Sequence, residues 1–451
     1  MGLQGKKVGV FGLGVTGKAL VRLLLRLGAT PVAADEAKEP ELVREIKDFL
    51  SSVSVKGFFG EIEPEVFNGC ELILISPGIR RDHPVIKYWQ EREVEIIGEI
   101  ELGYRLCRAP IIAVTGSNGK TTTTALIAHI LKSFRKTHLV GNIGSAFADI
   151  ADSAKEDEVV CLEVSSFQLE TCTTFAPKVA VITNITPDHL DRYESFESYA
   201  ETKRGIAKNL KTGSYLVYNA EDENLEPDLF PQGGFQYVPF SSAGEVGPPG
   251  AFVESGKLLI RGIGRDVELP QSILKIPGIH NVENALAGAV AARIFGANKA
   301  HLMKGLRSFR GYEHRLEFVR EIRKVKFYND SKATNPEASI VAMKTFSGPI
   351  ILIAGGRDKG TNLDTWASVV KSRCKEVILI GEARGKLEKA LRENQFENIR
   401  YANGIAEAVK LAYEISQSGD TVLFSPACAS FDMFKNFEER GNRFKEEVNS
   451  L

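Results

Sequence analysis

The chain has 451 residues, 43% of them hydrophobic and 25% charged, and a formal net charge of −1. Those proportions suit a globular protein that buries several cores without disulfide staples, and at roughly 150 residues per domain about three domains are expected. The near-zero charge excludes a global field that would draw the chain to nucleic acid or to an anionic membrane, so any anionic ligand must be held by local geometry. The six cysteines show no metal-type or ladder spacing, and no zinc site or disulfide framework is expected. The first residues lead straight into a strand, and no apolar run approaches the ~20 residues of a membrane helix, so a cytoplasmic protein without membrane insertion is expected.

In chain order, short apolar strands alternate with helical stretches in three sets, the grammar of an α/β protein with largely parallel sheets. The first set holds Lys7–Gly12, Pro31–Asp35 and Glu71–Ile75. Gly12-Leu13-Gly14-Val15-Thr16-Gly17 follows its first strand and opens a helix, Asp35 ends the second, and Ser76-Pro77-Gly78 ends the third. That is the spacing of a dinucleotide site, and taken alone it fits an NAD-dependent dehydrogenase. The same amides at a helix N-terminus bind any diphosphate, because they do not read the base.

The second set holds Ile111–Thr115, Val159–Glu163 and Val179–Asn184, with Phe252–Arg261 as a hairpin about Ser255-Gly256 in a small antiparallel patch. Between the strand Ile111–Thr115 and a helix from Thr121 to near Phe134 lies Gly116-Ser117-Asn118-Gly119-Lys120-Thr121-Thr122. Strand, glycine-rich turn, then Lys-Thr opening a helix is the context of a P-loop that binds ATP. Val114 stands where the first glycine of the common pattern would fall, so the loop is a shortened variant. Lys120 can reach the β- and γ-phosphates, and the Thr121 hydroxyl can ligate Mg²⁺.

Glu163 closes one strand, and Thr186-Pro187-Asp188-His189-Leu190-Asp191 follows another, so a carboxylate and an imidazole at neighbouring strand ends could both reach Mg²⁺ at that loop. Hard Mg²⁺ prefers oxygen, which makes His189 an unexpected ligand. Lys203, in a helix spanning Ser195–Leu210, reads by residue type as a solvated surface lysine. Asn142, in Val140-Gly141-Asn142-Ile143-Gly144, reads locally as a turn residue.

The third set holds Pro349–Gly355, Glu376–Gly381 and Asp420–Ser425. Asn329–Pro336, Gly355–Lys359 and Ser425–Asp432 follow its strands. Lys332 and Lys359 with nearby hydroxyls could bind a small dianion there, and a helix N-terminus could bind a carboxylate. Seams are expected near Glu99–Gly103 and Gly311, giving segments 1–99, 100–311 and 312–451.

Taken together, Thr115–Thr123, Leu162–Glu170, Asn184–Tyr193, His280–Ala285, Asn329–Asn335 and Ser425–Gly441 resemble the Mur ligase family, in order along the whole chain. The run Ser-Pro-Ala-Cys-Ala-Ser-Phe-Asp-Met-Phe-Lys-Asn-Phe-Glu-Glu-Arg-Gly is similar to that of its D-glutamate-adding members, and the Asp-Asn-Pro-Arg run of the diaminopimelate- or lysine-adding members is absent. The resemblance implies a three-domain architecture: a Rossmann-like domain, a central P-loop ATPase-like domain with a small antiparallel sheet, and a second Rossmann-like domain. It implies an ATP-dependent amide ligase with two Mg²⁺ ions, acting as a monomer on UDP-N-acetylmuramoyl-L-alanine and D-glutamate. The site residues it implies fall into four groups. Gly116, Ser117, Asn118, Gly119, Lys120, Thr121, Thr122, Asn284, Arg315 and Asp330 would hold ATP. Thr121 and Glu163 would bind one Mg²⁺, and His189 with Lys203, as a carbamate, the other. Gly14, Val15, Thr16, Asp35, Ser76, Pro77, Gly78 and Asn142 would bind the UDP substrate, which takes the glycine fingerprint away from a dehydrogenase. Lys332, Thr334, Lys359, Ser430, Phe431 and Phe437 would form the D-glutamate pocket. Lys120, Asn142, His189 and Lys203 would be catalytic. Glu36 stands where some members carry threonine or serine, a departure at the expected uracil contact.

Overall fold

The computed structural model describes residues 2–38, 40–189, 192–358 and 361–451. It divides into two compact units: residues 1–273 with 282–307, and residues 274–281 with 308–451.

The larger unit holds two sheets. The first orders five parallel strands as β3-β2-β1-β4-β5: β1 Lys7–Phe11, β2 Thr30–Asp35, β3 Gly57–Phe59, β4 Leu72–Ile75 and β5 Glu95–Gly98. Val8, Val10 and Phe11 are fully buried, as the continuous apolar run of a strand covered on both faces requires. Chain order reverses at β1, so the turn after it and the turn after β4 open on one crevice at the strands' carboxyl ends.

The second sheet runs β14-β13-β12-β11-β10-β9-β6-β8-β7. Its strands are β6 Ile111–Thr115, β7 Thr137–Gly141, β8 Val159–Glu163, β9 Val179–Ile182, β10 Tyr215–Asn219, β11 Gln236–Ser241, β12 Gly250–Glu254, β13 Lys257–Arg261 and β14 Val267–Pro270. The hairpin about Ser255-Gly256 is present, with both turn residues at positive φ. It is a continuation of the parallel sheet rather than a separate layer, because β11 pairs with β12 in parallel before the chain turns antiparallel. β6 separates β8 from β9, so Glu163 and His189 flank the phosphate loop from either side instead of standing on neighbouring strands. The helix Lys120–Leu131 after β6 has no polar stripe: Thr121, Thr123 and Thr124 are buried along with Ala125–Ala128, Ile130 and Leu131. Such a helix is a core element, so its N-terminus is held firmly.

The smaller unit carries a six-stranded sheet, β15-β16-β20-β17-β18-β19, antiparallel only between β15 and β16. The strands are β15 Glu317–Ile322, β16 Val325–Asn329, β17 Ile350–Gly355, β18 Cys374–Ile380, β19 Ile399–Tyr401 and β20 Thr421–Phe424. Trp366 and Phe444 are fully buried in apolar clusters of this unit, each contributing about 3 kcal/mol by area removed from water. Among the described residues no helix is long and apolar enough to cross a membrane.

Candidate active site at the phosphate loop

Gly116 has φ +142°, and a Cβ there would lie 2.0 Å from Thr183 Oγ1, so the turn after β6 admits only glycine. The helix behind it starts at Gly119, in the left-handed region with no side-chain cap. Ser165 and Ser195, by contrast, cap their helices with complete capping boxes. A helix start without a side-chain acceptor directs its partial positive charge outward.

The loop is fastened to the segment after β9. Asn184 O accepts from Ser117 N at 2.7 Å, Asn184 Oδ1 accepts from Asn118 N at 2.9 Å, and Thr183 Oγ1 donates to Asn118 O at 2.5 Å. Ser117 Oγ accepts from Thr186 N at 2.9 Å, donates to Thr186 O at 2.8 Å and meets the Tyr199 hydroxyl at 2.9 Å. Neither serine nor tyrosine carries a local signal for this contact; only the fold brings the helix Phe196–Arg204 over the loop.

Two ammonium groups converge on one carbonyl. Lys120 Nζ donates to Gly116 O and Ser117 O, both at 2.7 Å, and Lys203 Nζ donates to the same Gly116 O at 2.7 Å. Lys203 is 2% exposed, which overturns its reading as a solvated surface lysine. Its helix is amphipathic, and the lysine sits on the face that packs with Tyr199, whose ring centroid is 4.7 Å from Nζ. Burial, and next the Lys120 charge, lower Lys203 to about 7; Asp188 and Glu163 act in the opposite direction.

Glu163 is 1% exposed, and its Oε1 accepts from Asn142 Nδ2 at 2.9 Å while Asn142 N donates to Glu163 O at 2.9 Å. Asn142 is therefore a fixed partner of the acid, not a loose turn residue. Glu163 Oε2 is buried and has no hydrogen-bond partner. An orphaned carboxylate oxygen beside a phosphate loop is the donor that a divalent cation satisfies, and Mg²⁺ takes one or two carboxylates plus substrate oxygens. The buried Thr121 hydroxyl at the helix start is of the same oxygen chemistry. These residues fit Mg²⁺. Among the described residues no three His, Cys, Asp or Glu side chains form a metal cage.

His189 has φ +53° and packs its ring 4.8 Å from Phe167 and 6.4 Å from Tyr199. Its backbone N–H donates to Asp188 Oδ1 at 2.9 Å. Leu190 and Asp191 of the same expected segment lie outside the described residues. Asn284 Oδ1 accepts from Thr123 Oγ1 at 3.1 Å, which puts that residue beside the helix start.

At the first glycine turn, Asp35 Oδ2 accepts from Leu13 N at 2.5 Å and Oδ1 from Ala37 N at 2.7 Å. Ser76 Oγ donates to Gly12 O at 2.6 Å, and Val15 is 77% exposed at the start of the helix Val15–Arg26. Thr16 lies in that first helical turn, and Gly78 faces open space. Glu36 is paired with His83 at 3.3 Å.

In the smaller unit, Asp330 is buried, with Oδ1 accepting from Leu316 N at 3.1 Å and Oδ2 from Ser425 Oγ at 2.7 Å. Burial pushes its carboxyl up to about 7. Arg315 lies between two residues of positive φ, His314 and Leu316. A small cavity is lined by Thr334, Asp358, Ala427 and Cys428 among others. Lys332 Nζ lies 4.9 Å from the Tyr312 ring, Ser430 is buried, Phe431 is 60% exposed, and Phe437 opens the last helix. Lys359 lies outside the described residues. Arg440, which residue type alone would put at the surface, is fully buried. It donates to the carbonyls of Cys428, Ala429 and Ser331 and to Ser331 Oγ, bracing the cavity's rim.

Three stretches match family descriptions: "Mur ligase MurD-like, N-terminal domain" over residues 6–98, "Mur ligase middle domain" over 114–292, and "Mur ligase, glutamate ligase domain" over 314–428. The chain belongs to the Mur ligase family and has its three-domain α/β fold. It is 43% identical to the UDP-N-acetylmuramoylalanine--D-glutamate ligase of Thermoanaerobacter sp. (strain X514) over 455 aligned residues, covering all of both chains. It is 44% identical to the protein of that name from Caldanaerobacter subterraneus subsp. tengcongensis, again covering 100% of both. Among solved structures, UDP-N-acetylmuramate-alanine ligase MurC from Thermotoga maritima superposes with a TM-score of 0.58 at 21% identity, over 98% of this chain and 99% of that one. MurF ligase from Thermotoga maritima in complex with ADP gives 0.56 at 19% identity, over 99% and 96%. At those identities the likeness is one of fold.

Proposed function

We propose that this chain is the ATP-dependent ligase that joins D-glutamate to UDP-N-acetylmuramoyl-L-alanine through an acyl phosphate, in peptidoglycan precursor synthesis. The substrates are supported by full-length relatives that carry that enzyme's name. The chemistry is supported above all by one observation: two lysine amines share the Gly116 carbonyl in a turn that only glycine can make.

The substrate's terminal carboxylate must approach the γ-phosphate of ATP, and two anions meet only where positive charge is already organised. Lys120, once it leaves the Gly116 and Ser117 carbonyls, and the uncapped start of the helix Lys120–Leu131 supply it. As ADP leaves, the carboxylate becomes an acyl phosphate; the D-glutamate amine attacks the acyl carbon, loses a proton, and phosphate departs. In this reading Asn142, whose amide nitrogen already donates to Glu163, gives its second N–H to the transferred group. Thr121 and Glu163 would hold one Mg²⁺, and His189 with a carbamate on Lys203 a second, and the ions would supply the remaining positive charge. Lys203 suits carbamylation because burial leaves a large neutral fraction near pH 7, and a neutral amine is what adds to CO₂. The product exchanges a cation for an oxygen-bearing anion.

Asn284, Arg315 and Asp330 complete the ATP site. Gly14, Val15, Thr16, Asp35, Ser76, Pro77 and Gly78 hold the uridine diphosphate. Lys332, Thr334, Lys359, Ser430, Phe431 and Phe437 receive D-glutamate. The work divides as 1–99 for the UDP substrate, 100–311 for ATP and 312–451 for the amino acid, in a cytoplasmic monomer whose mass sedimentation would give. A phosphate-release assay across D-glutamate, L-glutamate, L-alanine and meso-diaminopimelate tests the reading. Release is expected only with D-glutamate and the muramoyl-alanine nucleotide together. ATP hydrolysis indifferent to both would overturn it.

A further inference from the structure

In the larger unit a side-chain bridge leads from the first glycine turn to the phosphate loop, and its centre is Arg192. Its Nη1 donates to Pro77 O at 2.9 Å, its Nη2 donates to Glu170 Oε2 at 2.9 Å, and its guanidinium lies 4.0 Å from the Phe167 ring centroid. Glu170 is held from both sides. Its Oε1 accepts from the Tyr193 hydroxyl at 2.6 Å, and its carbonyl accepts from Arg81 Nη1 at 2.8 Å. Arg192 and Glu170 are only 14% and 16% exposed, so the pair is shielded from the solvent that makes surface ion pairs weak.

Each end of this bridge touches a substrate element. Pro77 follows Ser76, whose hydroxyl closes on Gly12 O at 2.6 Å in the first glycine turn. Phe167 packs against His189 at 4.8 Å, and Tyr199, 6.4 Å from His189, meets Ser117 Oγ at 2.9 Å in the phosphate loop. The guanidinium's two-pronged geometry is what fixes this arrangement: a planar fork orders a carbonyl and a carboxylate at once, whereas a lysine holds either as a point charge.

We infer that Arg192 is a positioning residue that sets the Ser76–Gly78 turn in register with the phosphate loop, so that a substrate anchored by its diphosphate presents its far carboxylate to the transferring phosphate. The inference rests on the proposed ligase reading. A substrate held at two places tolerates little error in their spacing, because a displacement near 1 Å at the reacting atoms costs about a hundredfold.

The test uses the full chain with Arg192→Lys, Arg192→Met and Glu170→Gln. The expected result is a loss of about tenfold or more in kcat/KM for UDP-N-acetylmuramoyl-L-alanine in Arg192→Met. Arg192→Lys should recover only part of it, and Glu170→Gln should fall the same way. The KM for ATP and the calorimetric affinity for UDP alone should stay at wild-type values, because UDP touches only one end of the bridge. Unchanged kcat/KM would overturn the inference, and so would an equal loss of affinity for UDP and for the whole substrate. A Tm that falls with every kinetic constant in Arg192→Lys as well would reduce the bridge to structural support and overturn it too. The wild-type chain in the same assay reads the ligase function separately: if it makes no product from the two substrates, that function falls and the positioning role with it.

Discussion

Two corners of the larger unit, the turn Gly12–Gly17 and the turn Gly116–Lys120, share a backbone recipe and differ in electrostatics. Both follow a buried parallel strand and open a helix whose N-cap is a glycine without a side-chain cap. The first is tightened by an acid, with Asp35 accepting from Leu13 N and Ala37 N. Its nearest lysine, Lys18, is engaged with Glu45. The second gathers two lysines, since Lys120 and Lys203 meet at Gly116 O, and the orphaned Glu163 oxygen is in the same site. Amides at a helix start are enough to hold a phosphate that stays where it is. A phosphate that is transferred needs charge that can follow it. In the proposed ligase, that difference separates a substrate anchor from a reaction centre.

Removing either lysine should break the contrast most severely. Lys120→Met and Lys203→Ala are each expected to lower kcat by about two to three orders of magnitude in the phosphate-release assay. If Lys203 acts as a carbamate, short carboxylic acids should restore part of the Lys203→Ala activity and none of the Lys120→Met activity. The same lysine gives a pH signature. In the native chain its value falls from 10.5 to about 7. Between those values the unfolded chain binds a proton that the folded chain does not, so stability rises with pH across that window. Urea midpoints measured from pH 7 to 10 in CO₂-free buffer should rise less in Lys203→Met than in wild type.

Gly116→Ala combines an unfavourable φ with a Cβ at 2.0 Å from Thr183 Oγ1, and should cost about 2–4 kcal/mol by denaturant unfolding. Asp35→Asn tests the anchor. It removes the anionic acceptor of two backbone amides, which should cost about 1–3 kcal/mol and weaken UDP binding. Calorimetry with ADP should show no change, because the acid belongs to the other corner. The smallest effect is expected for Val15→Ser. That side chain is 77% exposed, so stability should move by less than about 0.5 kcal/mol, and any larger change would mean that it packs against something.

The two corners also mark how far local pattern reaches. The strands β6 and β8 fall on the segments that their apolar runs define, Ile111–Thr115 and Val159–Glu163, because a short buried run between glycine turns has few other ways to fold. The helix carrying Lys203 is shorter than its pattern implies: it is α-helical over Phe196–Arg204 and then tightens to a 3₁₀ turn over Gly205–Ala207. Glycine at 205 weakens the helix there. The antiparallel hairpin was legible from Ser255-Gly256, but its fusion to the parallel sheet was not, since pairing between β11 and β12 spans a loop with no periodicity of its own.

What this sequence determined by itself was local: three sets of α/β strands, two glycine turns at helix starts, and a Lys-Thr pair poised for phosphates. These follow from residues a few positions apart, where backbone sterics and apolar period decide. The tertiary structure alone decided which distant groups share an environment. It buried Lys203 against Tyr199 and brought its amine to Gly116, 87 residues away. It set Asn142 on Glu163 and reached from Arg192 to Pro77 across 115 residues. A lysine's charge depends on solvent and on neighbouring charges, and the packing of helices onto the strand ends sets both.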